Sequence, residues 1–292
     1  MLEINHLYKS YGKTKVLYGV NLRLEENKIY GLLGRNGVGK TTLLSIIANQ
    51  IKRDSGELKL FDQEIYENAK VVEDICIVSE RGIGVEDIKV RDIFKKARIL
   101  YKDWDEEYKN YLVKEFNLNI KKNYSKLSRG NQTIVGLIIG LSSRSKLTIF
   151  DEPSLGLDAA FRYQFYNTLL KDVEINPRTI IISTHLIDEV TNLFEEIIIL
   201  KDEKVYIQEE VSNLLEKSYF LNGKAEYILP RIKDKEIIFK EEFGTSIILG
   251  VFGRLSSEEK SELKENNIDI SPIPLQKLFI YLTENVKEKG VI

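Results

Sequence analysis

The chain has a single cysteine, Cys76, in 292 residues, so no intramolecular disulfide can form and a reducing compartment is expected. An excess charge of either sign is also missing. Lys and Arg total 43 against 45 Asp and Glu, a formal net charge of −2. With a pI near 6.0 there is no electrostatic footprint for nucleic acid, and no such partner is expected. Long apolar runs are absent as well. The longest, residues 134–141 (IVGLIIGL), includes two glycines, whereas a membrane-spanning helix needs about 20 residues. The first residues (MLEINH) contain no basic stretch followed by an apolar one, so no secretory leader is expected. Histidine is scarce, with only His6 and His185, and no internal repeat or low-complexity tract is visible.

What is present is a globular composition, 43% hydrophobic and 30% charged, enough for a buried core and unlike a disordered chain. The length suits one large and one small domain. Residues 2–8 and 20–24 alternate like strands, and 28–33 (KIYGLL) form a compact apolar run suited to a strand buried on both faces. A glycine-rich turn at 34–39 leads into a helical pattern from Lys40 to about Asn49. Further buried strands are expected at 75–79, 147–150 and 179–183, with helices at 90–116, 159–173 and 186–194, and a closing pair of strands at 197–200 and 205–208. Alternating strands and helices imply a largely parallel sheet with helices on both faces. After about residue 212 the pattern changes to short strands at 226–229, 236–239 and 246–252, a helix at 256–266 and an amphipathic helix at 275–286 after Pro272 and Pro274. Two domains are expected, residues 1–212 and a small α+β domain at 213–292.

The strongest chemical signal is Gly34-Arg35-Asn36-Gly37-Val38-Gly39-Lys40-Thr41-Thr42, between a strand and a helix. It matches the phosphate-binding loop in full. The glycines let peptide N–H groups surround phosphate, and the helix start points its positive end at the same charge. Lys40 should reach the β- and γ-phosphates, and the Thr41 hydroxyl should ligate Mg²⁺. A second signal is the apolar strand ending in Asp151-Glu152-Pro153. Asp151 would hold Mg²⁺ and Glu152 would orient or deprotonate an attacking water.

With these motifs in place, the chain resembles the nucleotide-binding subunit of an ABC transporter. Lys126-Leu-Ser128-Arg129-Gly130-Asn131-Gln resembles the family's signature loop, Ser154-Leu-Gly-Leu-Asp158 its D-loop, and Ser183-Thr-His185 its H-loop. Tyr11, in Lys9-Ser-Tyr-Gly, matches the aromatic that stacks on adenine. The resemblance covers about residues 1–212. It implies an α/β fold: a P-loop NTPase of RecA-like type, mostly parallel, with an antiparallel flank and a helical subdomain at about 81–146 that receives the membrane subunit. It also implies ATP and Mg²⁺ as cofactors and a head-to-tail ATPase dimer. In that dimer Ser128, Arg129, Gly130 and Asn131 face the γ-phosphate held by the opposite subunit, Asp158 crosses the seam, and His185 contacts the γ-phosphate.

Two departures stand out. The signature reads LSRGN where the family has LSGGQ, so Arg129 adds a positive charge and Asn131 shortens an amide. The position after residues 75–78 usually carries glutamine, and here the candidate metal ligand is Glu80. Of the apolar residues in the helical subdomain, Ile83, Phe94, Tyr101 and Trp104, most should be core and one or two should line the docking groove.

The function expected is that of a cytoplasmic-face ATPase with Glu152 as base, working through a separate transmembrane permease and a second ATPase subunit, identical or related. The C-terminal residues 271–283 resemble the tails of Gram-positive exporter ATPases of the antimicrobial-peptide and phenol-soluble modulin group, which suggests peptide export. Leu278, Phe279 and Leu282 form a candidate self-association face, with packing onto the main domain as the alternative. The competing functions are a soluble ABC ATPase and a nucleotide-gated sensor not coupled to transport.

Overall fold

The computed structural model describes residues 1–79 and 88–284. Glu80, Gly82, Ile83 and Gly84 lie outside the described residues. In chain order the strands are β1 Leu2–Tyr11, β2 Thr14–Leu24, β3 Ile29–Gly34, β4 Ser55–Leu60, β5 Gln63–Glu64, β6 Ile75–Val78, β7 Leu147–Asp151, β8 Thr179–Ser183, β9 Glu196–Lys201, β10 Lys204–Glu210, β11 Ser218–Lys224, β12 Glu236–Phe243, β13 Ser246–Phe252 and β14 Asp269–Pro272. The chain divides into two compact units. One is Met1–His185 with Asn192–Gln208, and the other is Leu186–Thr191 with Glu209 onward.

In the first unit a six-stranded sheet runs β10-β9-β3-β8-β7-β6, and a four-stranded antiparallel sheet runs β2-β1-β4-β5. The pairs β3–β8, β3–β9, β6–β7 and β7–β8 are parallel. Central β7 and β8 are buried at every residue, which is why they read as unbroken apolar runs. One core joins the two sheets, with Leu2, Ile4 and Leu24 of the antiparallel sheet, Leu32 and Ile149 of the parallel one, and Leu43 and Ile47 of the helix Lys40–Ile47. The helix Arg129–Ser142 is buried almost all round its second half. Gly136 and Gly140 in that half explain how close it lies to the sheet. A Cβ on Gly136 would stand 2.8 Å from Val78, and one on Gly140 would stand 2.5 Å from Phe150. Cys76, inside β6, is fully buried, and burial pushes its thiol pKa up despite hydrogen bonding with Tyr101 and Ser143.

The long helix expected at 90–116 is two helices, Val90–Leu100 and Glu106–Glu115. The break covers residues 101–105, opening at extended Tyr101 and closing at Asp105, whose carboxylate accepts from the Tyr108 N–H and caps the second helix. Phe94 is core, and Trp104 donates its indole N–H to Glu106 at 2.8 Å. The helix expected at 186–194 is only Ile187–Val190 followed by a 3₁₀ turn at Thr191–Leu193.

The second unit is a four-stranded antiparallel sheet in the order β12-β13-β11-β14. Its connectivity is β-α-β-β-α-β, the split βαβ arrangement, with each helical connection skipping over one strand. The strand expected at 226–229 is instead a helix, Ala225–Ile228, continued by a 3₁₀ turn at Leu229–Arg231. Ala225, Ile228 and Ile232 point into the same core, a helical spacing, and Pro230 cannot donate to a sheet ladder. Helix Ser257–Glu265 opens with a capping box made by Ser256 and Glu259. A last helix, Leu275–Thr283, lies on the other face of the sheet, where Tyr281 stacks on Phe239 at 4.6 Å and meets Phe220 edge-on at 6.1 Å. Leu278 and Leu282 are buried within the chain, so they are core and not a free face for self-association.

Candidate active site

Parallel strands β3, β8 and β7 are neighbours, so Gly34, Ser183 and Asp151 end at the same edge of the sheet. Such an edge is where ligands bind in open parallel sheets. From β3 the chain turns through Arg35, Asn36 and Gly37, with the Val38 N–H bonded to the Arg35 carbonyl at 3.3 Å. Gly39 caps the helix Lys40–Ile47 at φ 107°, and a Cβ there would lie 2.8 Å from the Val16 carbonyl of β2. Only glycine fits. The helix has no acidic residue in its first turn and no side-chain cap, so its N–H groups stay open to an anion. Lys40 is 8% exposed and donates to the carbonyls of Gly34 at 2.6 Å and Arg35 at 3.4 Å. Burial lowers its pKa, while Glu152 and Asp151 pull the other way. Thr41 and Thr42 follow on the first turn. Tyr11, at the end of β1, is 52% exposed, with the Lys9 ammonium 5.3 Å from its ring centroid.

Asp151 is 3% exposed. It lies in register with Ser183 across β7 and β8, and the Ser183 hydroxyl donates to its carboxylate. The Glu152 N–H bonds the Ser183 carbonyl at 3.0 Å. Glu152 itself has φ 53°, a rare conformation for a residue with a side chain. Its Oε2 lies 2.8 Å from Nδ1 of His185, whose side chain is 55% exposed. Burial pushes the Glu152 carboxyl above its ordinary range, against the opposing effects of His185 and Lys40. Lys40, Asp151, Glu152 and His185 are therefore one electrostatic cluster.

Ser128 caps the helix Arg129–Ser142, its Oγ accepting from the Asn131 N–H at 3.3 Å, so this helix starts five residues before the apolar run 134–141. Gly130 touches the turn after Glu152, since a Cβ there would stand 2.8 Å from the Gly156 carbonyl. Asp158 caps the helix Ala159–Ile175 through the Phe161 N–H at 2.9 Å. Sequence reasoning missed Ser183 as a partner of Asp151 and Thr133 as a partner of the turn. The parallel register of β7 and β8 is the signal that finds Ser183.

Among the described residues no three metal-ligating side chains stand together. A buried carboxylate, Asp151, at the sheet edge that also leads into the glycine loop, with Thr41 on the first turn of the helix that follows that loop, suits Mg²⁺, which uses one or two protein ligands and takes the rest from phosphate and water.

A family profile described as "ABC transporter" matches residues 17–155. The ABC transporter ATP-binding protein YtrB of Bacillus subtilis is 27% identical over 285 residues, 96% of this chain and 97% of YtrB. The uncharacterized ABC transporter ATP-binding protein MJ1023 of Methanocaldococcus jannaschii is 30% identical over 233 residues, 76% of this chain and 84% of that protein. The lantibiotic transport ATP-binding protein SrtF of Streptococcus pyogenes is 27% identical over 227 residues, 72% of this chain and 91% of SrtF. Among solved structures, the ATP-binding subunit of an ABC transporter aligns with a TM-score of 0.67 at 20% identity, over 73% of this chain and 91% of that one. The ATP-binding cassette MJ0796, as a post-hydrolysis dimer bound to ADP and Pi, aligns at 0.63 and 23% identity, over 72% and 99%. At these identities the structural likeness concerns the fold. The resemblance and the P-loop α/β fold expected from the motifs are borne out.

Proposed function

We propose, since the chain belongs to the family of ABC transporter ATP-binding proteins and so binds and hydrolyses ATP, that it drives peptide export through a separate membrane permease. It works at the cytoplasmic face of the membrane, paired head to tail with a second copy of itself. A second copy suffices because this chain carries both halves of the site, the phosphate loop and the signature helix start. Peptide export is supported by the lantibiotic transport relative and by the exporter-like residues 271–283. Among the described residues no helix is long and apolar enough to cross a membrane, so the pathway falls to the permease.

Tyr11 stacks on the adenine. The N–H groups at the start of the helix Lys40–Ile47 and the Lys40 ammonium hold the β- and γ-phosphates. Thr41 and Asp151 would hold Mg²⁺, which supplies charge neutralisation on the phosphate oxygens. Glu152 accepts a proton from the attacking water, whose oxygen bonds the γ-phosphorus as the bond to the β-phosphate oxygen breaks. ADP and inorganic phosphate are the products. His185 keeps the Glu152 carboxylate in place and orients the water.

The observation that carries the reading is the Glu152–His185 pair at 2.8 Å beside buried Asp151 and Lys40. Glu152→Gln is expected to cut ATP turnover by about 10²–10⁴-fold. If wild type turns over no faster than this variant, the chain is a nucleotide-gated sensor and the enzymatic mechanism falls. The same variant, purified with MgATP from detergent-solubilised host membranes, should bring down a stoichiometric multi-span protein. Recovery of ribosomal proteins or of no partner would overturn transport.

A further inference from the structure

The turn after Glu152 is joined to the signature helix at three points. Thr133 Oγ1 lies 2.9 Å from the Leu155 carbonyl and 3.1 Å from the Arg129 carbonyl. The second contact is the back-bond that threonines commonly make inside a helix. The first is different, because it crosses to a separate segment. Gly130 meets the Gly156 carbonyl so closely that a Cβ would stand 2.8 Å away. The aliphatic stem of Arg129 lies across Gly156, where a Cβ would meet Arg129 Cγ at 3.0 Å. Gly156 holds φ 81°, a left-handed conformation that leaves its upper face open to that stem. This turn carries the proposed base Glu152 at one end and Asp158 at the other, where the Asp158 carboxylate is committed to capping the next helix.

We propose that Thr133 is a positioning residue. Its hydroxyl fastens the turn 154–157 to the signature loop, so that Ser128 and Gly130, facing one nucleotide, move as one piece with Glu152, which serves the other. Capture of the γ-phosphate at one site then sets the geometry of the second site through this join inside a single chain. The inference rests on the head-to-tail dimer proposed above. An ordinary surface threonine would make only the back-bond, and its hydroxyl would be dispensable. Thr133→Val keeps the side-chain shape and removes the donor, leaving the Leu155 carbonyl without it. Thr133→Ser keeps the donor.

The experiment uses the full chain carrying Glu152→Gln, with Thr133, Val or Ser at position 133, and MgATP as the probe. Sedimentation gives the dimer dissociation constant, and nucleotide titration at high dilution gives the affinity of the monomer. Thr133→Val is expected to weaken dimerisation about tenfold, the scale of losing a hydrogen bond in each copy, and Thr133→Ser to restore it. Monomer affinity for MgATP should be the same in all three. The proposal is overturned if Thr133→Val dimerises like its parent, if Ser behaves like Val, or if Val also weakens the monomer's hold on MgATP. If the Glu152→Gln parent does not dimerise with MgATP, the head-to-tail reading falls and takes this inference with it.

Discussion

Glu152 has two unusual properties in one side chain. Its backbone at φ 53° costs on the order of 1–3 kcal/mol unless the surroundings enforce it. Here the Ser183 carbonyl accepts its N–H, and its own carbonyl accepts from the Leu155 N–H at 3.2 Å. Its carboxyl titrates above the ordinary value of 4.5 because it is buried. The unfolded chain therefore loses this proton first, and between the two pKa values the folded chain binds more protons. Stability contributed by this group declines as pH rises through that window. Glu152→Gln removes the titration, so calorimetry should find a higher Tm than wild type at neutral pH, the gap closing as pH falls below the ordinary carboxylate range. A lower Tm at neutral pH would contradict the assignment. Gly39→Ala tests the phosphate loop in a different way. With φ 107° and a Val16 carbonyl 2.8 Å from the new Cβ, it should lose about 1–3 kcal/mol of stability and its affinity for ATP, read by denaturant melting and nucleotide titration. The glycine loop and the Asp-Glu pair were legible in the sequence because their spacing is itself the chemistry. Thr133 and Ser183 were not, because one hydroxyl in a helix or strand has no pattern until its partner is known.

Among elements, the helix Arg129–Ser142 makes a prediction that opposes propensity. Gly→Ala inside a helix normally stabilises by about 1 kcal/mol. At Gly140 the added methyl would stand 2.5 Å from a fully buried Phe150 ring, and overpacking of that kind costs about 1–3 kcal/mol. Gly140→Ala should therefore lower the urea midpoint. A second joint links the helix Glu106–Glu115 to the core. Asp172, with a side chain only 1% exposed, pairs with both Arg144 and Arg178, and Arg144 also reaches Asp105 at 2.9 Å. Asp172→Ala would leave the buried Arg178 guanidinium without its carboxylate and Arg144 with Asp105 alone, and about 3–5 kcal/mol should be lost in the same measurement. Buried strands were legible as elements because both their faces are dry. The break at residues 101–105 was not, since apolar and aromatic residues continue across it and the cap at Asp105 is a single residue. The helix Ala225–Ile228 read as a strand because Tyr227, Ile228 and Leu229 are apolar or aromatic neighbours, and their burial is uneven only once the core is built.

At the scale of the molecule, neighbour relations were the least legible. β3 lies between β8 and β9, which come far later in the chain, and nothing local specifies that order. The helix Leu275–Thr283 shows the same limit, because its apolar spacing suits an outer interface or an inner one equally well. Since Leu278 is fully buried, Leu278→Ala should cost about 2–5 kcal/mol and leave the sedimentation of the nucleotide-free chain unchanged. Dissociation of a larger species by this variant would reinstate the outer interface. Cys76, finally, has an experimental use. The only thiol is enclosed within β6 with its ionisation suppressed, so maleimide reagents meet a chain that is effectively blank. A cysteine introduced at an exposed position such as Tyr163, 72% exposed, can accept a fluorophore with no other change to the sequence. The approach of two chains in the proposed dimer on adding nucleotide, and their separation after turnover, would then be read as an energy-transfer signal in real time.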